Sequence, residues 1–73
     1  MSYQEVISIS PNIRFGKPCI NGTRISVYDV LAWLASGMSQ EEILQDFPQL
    51  TQEHILACLA YSADKERRLR ISA

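Results

Sequence analysis

The sequence is poor in the residues that build metal centres, disulfide frameworks and basic nucleic-acid surfaces. Its cysteines are Cys19 and Cys58, its one histidine is His54, and no C-x-x-C pair occurs. A zinc site needs several such ligands at close spacing, so none is expected. A chain with so little cysteine suits a reducing compartment, and a cytoplasmic protein with free thiols is expected. The opening Met1–Glu5 is polar and acidic, unlike a signal peptide. No apolar run approaches the ~20 residues that a membrane-spanning helix needs. Between Ile25 and Ala63 there is neither Lys nor Arg, while Asp29, Glu41, Glu42, Asp46 and Glu53 fall in that span. A surface built from this stretch repels phosphate, which argues against a DNA-binding face there.

What is present fits one small domain over 1–73. The 73 residues are 47% hydrophobic, enough for a core, and carry a net charge of −1. The chain is organised around Gly16-Lys17-Pro18-Cys19-Ile20-Asn21-Gly22-Thr23-Arg24-Ile25. Asn-Gly is the strongest short hairpin signal, and it predicts a type I′ turn flanked by Ile20 and Thr23. Pro18 has no N–H to give, which makes this strand an edge or a strand start. Ahead of it, Val6–Ser10 reads as a strand, Pro11-Asn12 as a turn, and Ile13–Phe15 as a brief return to strand. Residues 1–25 thus form a β segment and elbow.

Three capped, periodic runs follow. Ser26-Val27-Tyr28-Asp29 has the form of a capping box, Val27, Val30, Leu31 and Leu34 form a helical stripe, and Gly37 ends the run. Ser39-Gln40-Glu41-Glu42 opens a second helix that Pro48 stops. Thr51 caps a third, with Glu53 near its positive end. Its inward stripe is read as Ile55, Leu56, Leu59, Ala60 and Ala63. Helices are predicted near 26–36, 39–46 and 51–66, with 67–73 a tail. The fold class is mainly α: a tri-helical bundle over 26–66 with helix-turn-helix proportions, preceded by a short N-terminal β-hairpin. Leu31, Leu34, Ile43, Leu56 and Leu59 are its expected core.

Gly16-Lys17-Pro18, Asn21-Gly22-Thr23-Arg24-Ile25, Gly37-Met38-Ser39, Glu41-Glu42-Ile43-Leu44 and Phe47-Pro48-Gln49-Leu50-Thr51 resemble the domain of unknown function 433 family. The resemblance covers about residues 9–63. It implies a homeodomain-like helix-turn-helix behind a short β segment. It also implies an antitoxin-like role: members are described as prokaryotic antitoxins, often encoded beside a PIN-type nuclease toxin that they bind and silence, and many such antitoxins also bind their own promoter. Members commonly carry a cation where this chain has Asn21.

The remaining chemistry is spare. Ser26, Ser39 and Thr51 serve as helix caps, no Ser/His/Asp arrangement matches a triad, and the paired acids lie on solvated helix faces, so neither an enzyme nor a cofactor is expected. The candidate binding residues are Arg14, Lys17, Asn21, Gly22, Thr23 and Arg24 in the elbow, Gln52 and His54 at the head of the third helix, and Lys65, Arg67 and Arg68 behind it. Gln52 could read adenine. The expected partners are a toxin protein and operator DNA, with a second copy making a homodimer through the N-terminal strands or an apolar helix face. A stand-alone helix-turn-helix transcriptional regulator is the alternative. Any DNA contact would take its charge from the two basic ends. The missing cation on the third helix favours protein binding.

Overall fold

Capped helices carry the architecture of this chain, and each cap is visible in the sequence. A computed structural model describes residues 2–72, with side chains described up to Arg67. A 3-10 turn at Tyr3–Glu5 leads into β1 (Ile7–Ser8), which pairs antiparallel with β2 (Cys19–Ile20), Ile7 opposite Ile20 and Ser8 opposite Cys19. Helices α1 (Val27–Ala35), α2 (Gln40–Asp46) and α3 (Gln52–Ser72) follow. The mainly helical class with a two-stranded N-terminal hairpin is as expected. Among the described residues no helix is long and apolar enough to cross a membrane.

The caps explain where each helix starts. Ser26 accepts from the Asp29 N–H at 3.0 Å while the Asp29 carboxylate accepts from the Ser26 N–H at 3.0 Å, a reciprocal capping box. Ser39 and Glu42 repeat it at α2. At α3 the partner of Thr51 is His54, whose Nδ1 accepts the Thr51 N–H at 3.1 Å while its own N–H reaches the Thr51 hydroxyl at 3.3 Å. The sole histidine thus takes the structural place of a glutamate. The end of α1 is a Schellman motif: Met38 N–H bonds Trp33 C=O, Gly37 N–H bonds Leu34 C=O, and Gly37 sits at φ 102.

Several expectations for the front of the chain are corrected. The first strand is two residues long, not five: Val6 closes the 3-10 turn of Tyr3–Glu5, and the pairing with β2 ends at Ser8. Ile13–Phe15 does not return to strand. Arg14, Phe15 and Gly16 all take left-handed backbone, at φ 52, 58 and 82. The Asn-Gly turn is not type I′ either. Gly22 has φ 78 and Asn21 does not share the positive φ, which is the pattern of a type II turn. Side chains choose it: the Thr23 hydroxyl donates to Ile20 C=O and accepts from Ile25 N–H, and the Asn21 amide donates to Glu5 C=O at 2.8 Å.

The core sits where α1, α2 and α3 meet β2. Ile20, Val30, Ile43, Ile55 and Cys58 are its fully buried members. Trp33 is half-buried and stacks on Phe47 at 4.2 Å, locking the joint between α1 and α2. Of the expected core, Ile43 is buried and Leu31 and Leu34 pack against it half-buried. Leu56 and Leu59 are not core: they are 45% and 39% exposed. The inward face of α3 carries Ile55, Ala57 and Cys58, with Tyr61 packed against it. One residue rotates a helix by about 100°, so the two stripes are neighbours, and tertiary contacts decide between them. Tyr3 makes that decision, packing edge-on against Tyr61 at 5.6 Å and donating its hydroxyl to Asp64. The third helix also continues to Ser72, beyond the end expected at 66 and through most of the expected tail.

Two outcomes follow from this packing. Ile55→Ala should lower unfolding free energy by about 2–5 kcal/mol, and Leu56→Ala by less than about 1 kcal/mol, in urea melts at low protein concentration. Burial pushes the Cys58 thiol up to about 11. Thiol-reactive dye should therefore label Cys58 only when the chain unfolds, with a rate that follows denaturant.

Candidate partner-binding site

The elbow is held to the helical body by one carboxylate. Asp29 Oδ2 accepts the Ser26 N–H and, at 2.9 Å, a guanidinium N–H of Arg14. The same Arg14 nitrogen donates to the Arg24 carbonyl at 2.7 Å. Arg14 is thereby taken up in a clamp that joins the left-handed turn, the hairpin tip and the α1 cap. Burial alone would raise the Asp29 carboxyl. The Ser26 backbone N–H, the Arg14 guanidinium and the Ser26 hydroxyl outweigh it and hold that carboxyl below the ordinary range.

The clamp has a consequence for exposed groups. Phe15, next to Arg14, is held at φ 58 with 98% of its surface in water. A bulky residue in that region is costly, and a fully exposed aromatic there has the character of an interface anchor. The Arg24 side chain is exposed, and among the described residues its guanidinium makes no hydrogen bond or ion pair.

Beyond the elbow lies an open cleft of about 450 Å³. Lys17 comes from the elbow, Val27, Tyr28 and Leu31 from α1, and Tyr61 and Lys65 from α3. Its lining is mostly carbon. Tyr28 stands 72% exposed, and the Lys65 ammonium lies 5.7 Å from the centre of the Tyr61 ring. Lys17 and Lys65, far apart in sequence, thus stand on one apolar depression.

The candidate residues divide as follows. Lys17 and Lys65 come together. Arg24 and Gly22 are exposed in the elbow. Arg14, Asn21 and Thr23 form its internal bonds. Arg67 is exposed and lies 3.6 Å from Asp64. Gln52 is exposed at the first turn of α3, whereas His54 is half-buried in the cap. The Arg68 side chain lies outside the described residues. Glu41, Glu42, Asp46 and Glu53 are all exposed, so the α2 face and the head of α3 are acidic. Phe15 and Tyr28 were not among the candidates. Phe15 falls in a non-periodic loop, and Tyr28 lies beside the apolar stripe of α1, so pattern alone does not mark them. Among the described residues no group of three or more His, Cys, Asp or Glu side chains is placed to hold a metal.

Comparison with known proteins places the chain. A family model described as "Protein of unknown function (DUF433)" matches residues 7–62. The chain belongs to that family. It is 41% identical over 59 residues to "Uncharacterized protein y4eO" of Sinorhizobium fredii, covering 81% of this chain and 27% of that relative. The chain therefore spans about a quarter of the curated relative it matches. The crystal structure of a DUF433 member from Anabaena variabilis superposes with a TM-score of 0.82 at 29% identity, over 94% of this chain and 68% of that one.

The clamp makes stability depend on pH with a definite sign. Asp29 titrates lower in the folded chain than its ordinary value of about 3.9, so its contribution is fully present above about pH 4 and is lost as pH falls through the folded value. Asp29→Asn should cost about 1–2 kcal/mol in urea unfolding at pH 7, and the cost should shrink as pH falls below about 4. Arg14→Ala should show the same trend.

Proposed function

We propose that this chain is an antitoxin-like component of a prokaryotic type II toxin–antitoxin module, and that it binds and neutralises a PIN-type nuclease toxin in the cytoplasm. The observation that carries the reading is the convergence of Lys17 and Lys65 on an apolar cleft beside the Arg14–Asp29 clamp. Such a surface suits a protein segment with an apolar anchor and flanking carboxylates. The metal-binding site of a PIN-type nuclease is a source of such carboxylates. Arg24 complements it, because a free guanidinium meets a carboxylate through two parallel hydrogen bonds. Phe15 supplies an aromatic anchor next to these cations. Inhibition then needs binding alone, with no catalytic step in this chain.

Promoter DNA binding is an accessory of the complex in this reading. The head of α3, where a helix-turn-helix protein reads bases, presents Gln52 with the acidic Glu53 and no permanent cation. Phosphate contacts would have to come from Lys17, Arg24 and the basic end of α3. This ordering ranks the antitoxin above the stand-alone regulator.

Co-expression with the product of the adjacent gene tests the proposal. The two proteins should co-purify, and nuclease activity should fall in the complex. Lys17→Glu with Lys65→Glu should abolish capture while leaving the melting temperature within a few degrees of wild type. Arg24→Ala should weaken it by about tenfold or more, roughly 1.4 kcal/mol. Tight, salt-sensitive operator binding by the isolated protein, together with failure to capture the neighbour, would establish the regulator instead.

A further inference from the structure

The stripe of α3 that stays outside the core is unusual for so small a chain. Leu56 and Leu59 stand 45% and 39% exposed, and Ala60 and Ala63 are exposed beside them. Spaced at 56, 59, 60 and 63, they form one continuous apolar face. Residues at this spacing lie within about 40–60° of a common line at roughly 100° per residue. Gln52 and Arg67 fall at its two ends, with Glu53 on one flank.

We infer that this face pairs with the same face of a second copy, the two α3 helices running antiparallel across a two-fold axis between Leu59 and Ala60. In that register Leu56 packs on Ala63 of the second copy along the centre of the seam, so a large side chain meets a small one, while Leu59 meets its own counterpart on one flank and Ala60 its own on the other. A parallel pairing would instead set Leu56 against Leu56 and Ala63 against Ala63. Charge selects the same arrangement. The front of α3 carries Glu53 without a cation, and the rear carries Arg67, which is exposed and only loosely held by Asp64 at 3.6 Å. A two-fold axis keeps each flank facing its own counterpart, so Glu53 meets Arg67 of the second copy twice per dimer. Glu66 falls on the other flank beside Gln52.

This surface is distinct from the Lys17–Lys65 cleft, which lies on the side of α3 that carries Tyr61 and Lys65. A dimer formed this way leaves both clefts open, and the inference stands without the capture reading. The other route to self-association is weaker, since β1 offers an edge of only two residues, Ile7 and Ser8. One helical stripe is a small interface, so exchange between monomer and dimer should fall in the micromolar range.

Sedimentation equilibrium of the isolated protein, in a concentration series, tests it. Wild type should be a reversible dimer. Leu56→Glu should be monomeric at every concentration while its circular dichroism and its melt at low concentration match wild type, because the side chain is outside the core. Glu53→Arg should weaken the dimer about tenfold. Combining it with Arg67→Glu should restore most of the loss, which only an antiparallel register allows. A wild-type monomer at high micromolar concentration overturns the inference. So does a dimer indifferent to Leu56→Glu, or a double charge reversal that adds to the loss instead of repairing it. If Leu56→Glu blocks toxin capture while wild type is monomeric, the stripe belongs to the toxin and the dimer is refuted.

Discussion

Asp29 is the group on which the other arrangements depend. Its carboxylate closes the capping box of α1, and the same oxygen receives Arg14 from the loop before β2. Arg14 in turn holds the Arg24 carbonyl at the far end of the hairpin. One half-buried carboxylate therefore starts a helix, anchors a turn of left-handed residues and fixes a hairpin tip. A chain of this size buries only about 60% of its unfolded surface, so apolar packing alone has little to spare for positioning a loop. A charge-assisted network does so with few side chains, and the strain at Arg14 and Phe15 persists because the surrounding bonds over-determine it.

The elements whose signals are local were legible in the sequence. Ser26, Ser39 and Thr51 begin their helices as caps, Gly37 ends α1 at C′, and Pro48 ends α2. Each depends on residues within four positions. The face of α3 was not legible, because Ile55–Cys58 and Leu56–Leu59–Ala60–Ala63 are both acceptable stripes on a helix. Choosing between them needs Tyr3, which comes from the other end of the chain. The left-handed turn was hidden for the same reason: nothing in Ile13-Arg14-Phe15 predicts it until Asp29, fifteen residues on, is in place. His54 shows a third kind of opacity. Its spacing from Thr51 is that of a capping-box glutamate, but a lone histidine invites readings about ligands before readings about caps.

The candidate site was legible in its charges and not in its geometry. The sequence separates the cations into a front group and a rear group, with thirty-nine residues from Ile25 to Ala63 free of them. The fold brings Lys17 and Lys65 to one cleft and spends Arg14 internally. It also leaves the acids of α2 and the head of α3 exposed, with no ion pair among the described residues. A bipolar surface of this kind favours partners that are themselves patterned, with carboxylates opposite the cleft, over a uniformly negative polymer.

The length of α3 reconciles these demands. A domain with so small a core has no inner cavity to devote to a ligand, and function must be placed on its outside. At 21 residues, α3 is more than twice the length of α1. Its first turns bury Ile55, Ala57 and Cys58 and so hold the bundle together. Further along, Tyr61 and Asp64 receive the N-terminal Tyr3, and Tyr61 and Lys65 line the cleft. The Leu56–Ala63 stripe is left over, apolar but unpacked. Had α3 been rotated by one residue, Leu56 and Leu59 would have taken the buried places of Ile55 and Cys58, and Ala57 would face water. Tyr61 would then leave both Tyr3 and Lys17. The orientation that the N-terminal contact selects is the one that builds the cleft, and the exposure of the leucines is its direct consequence.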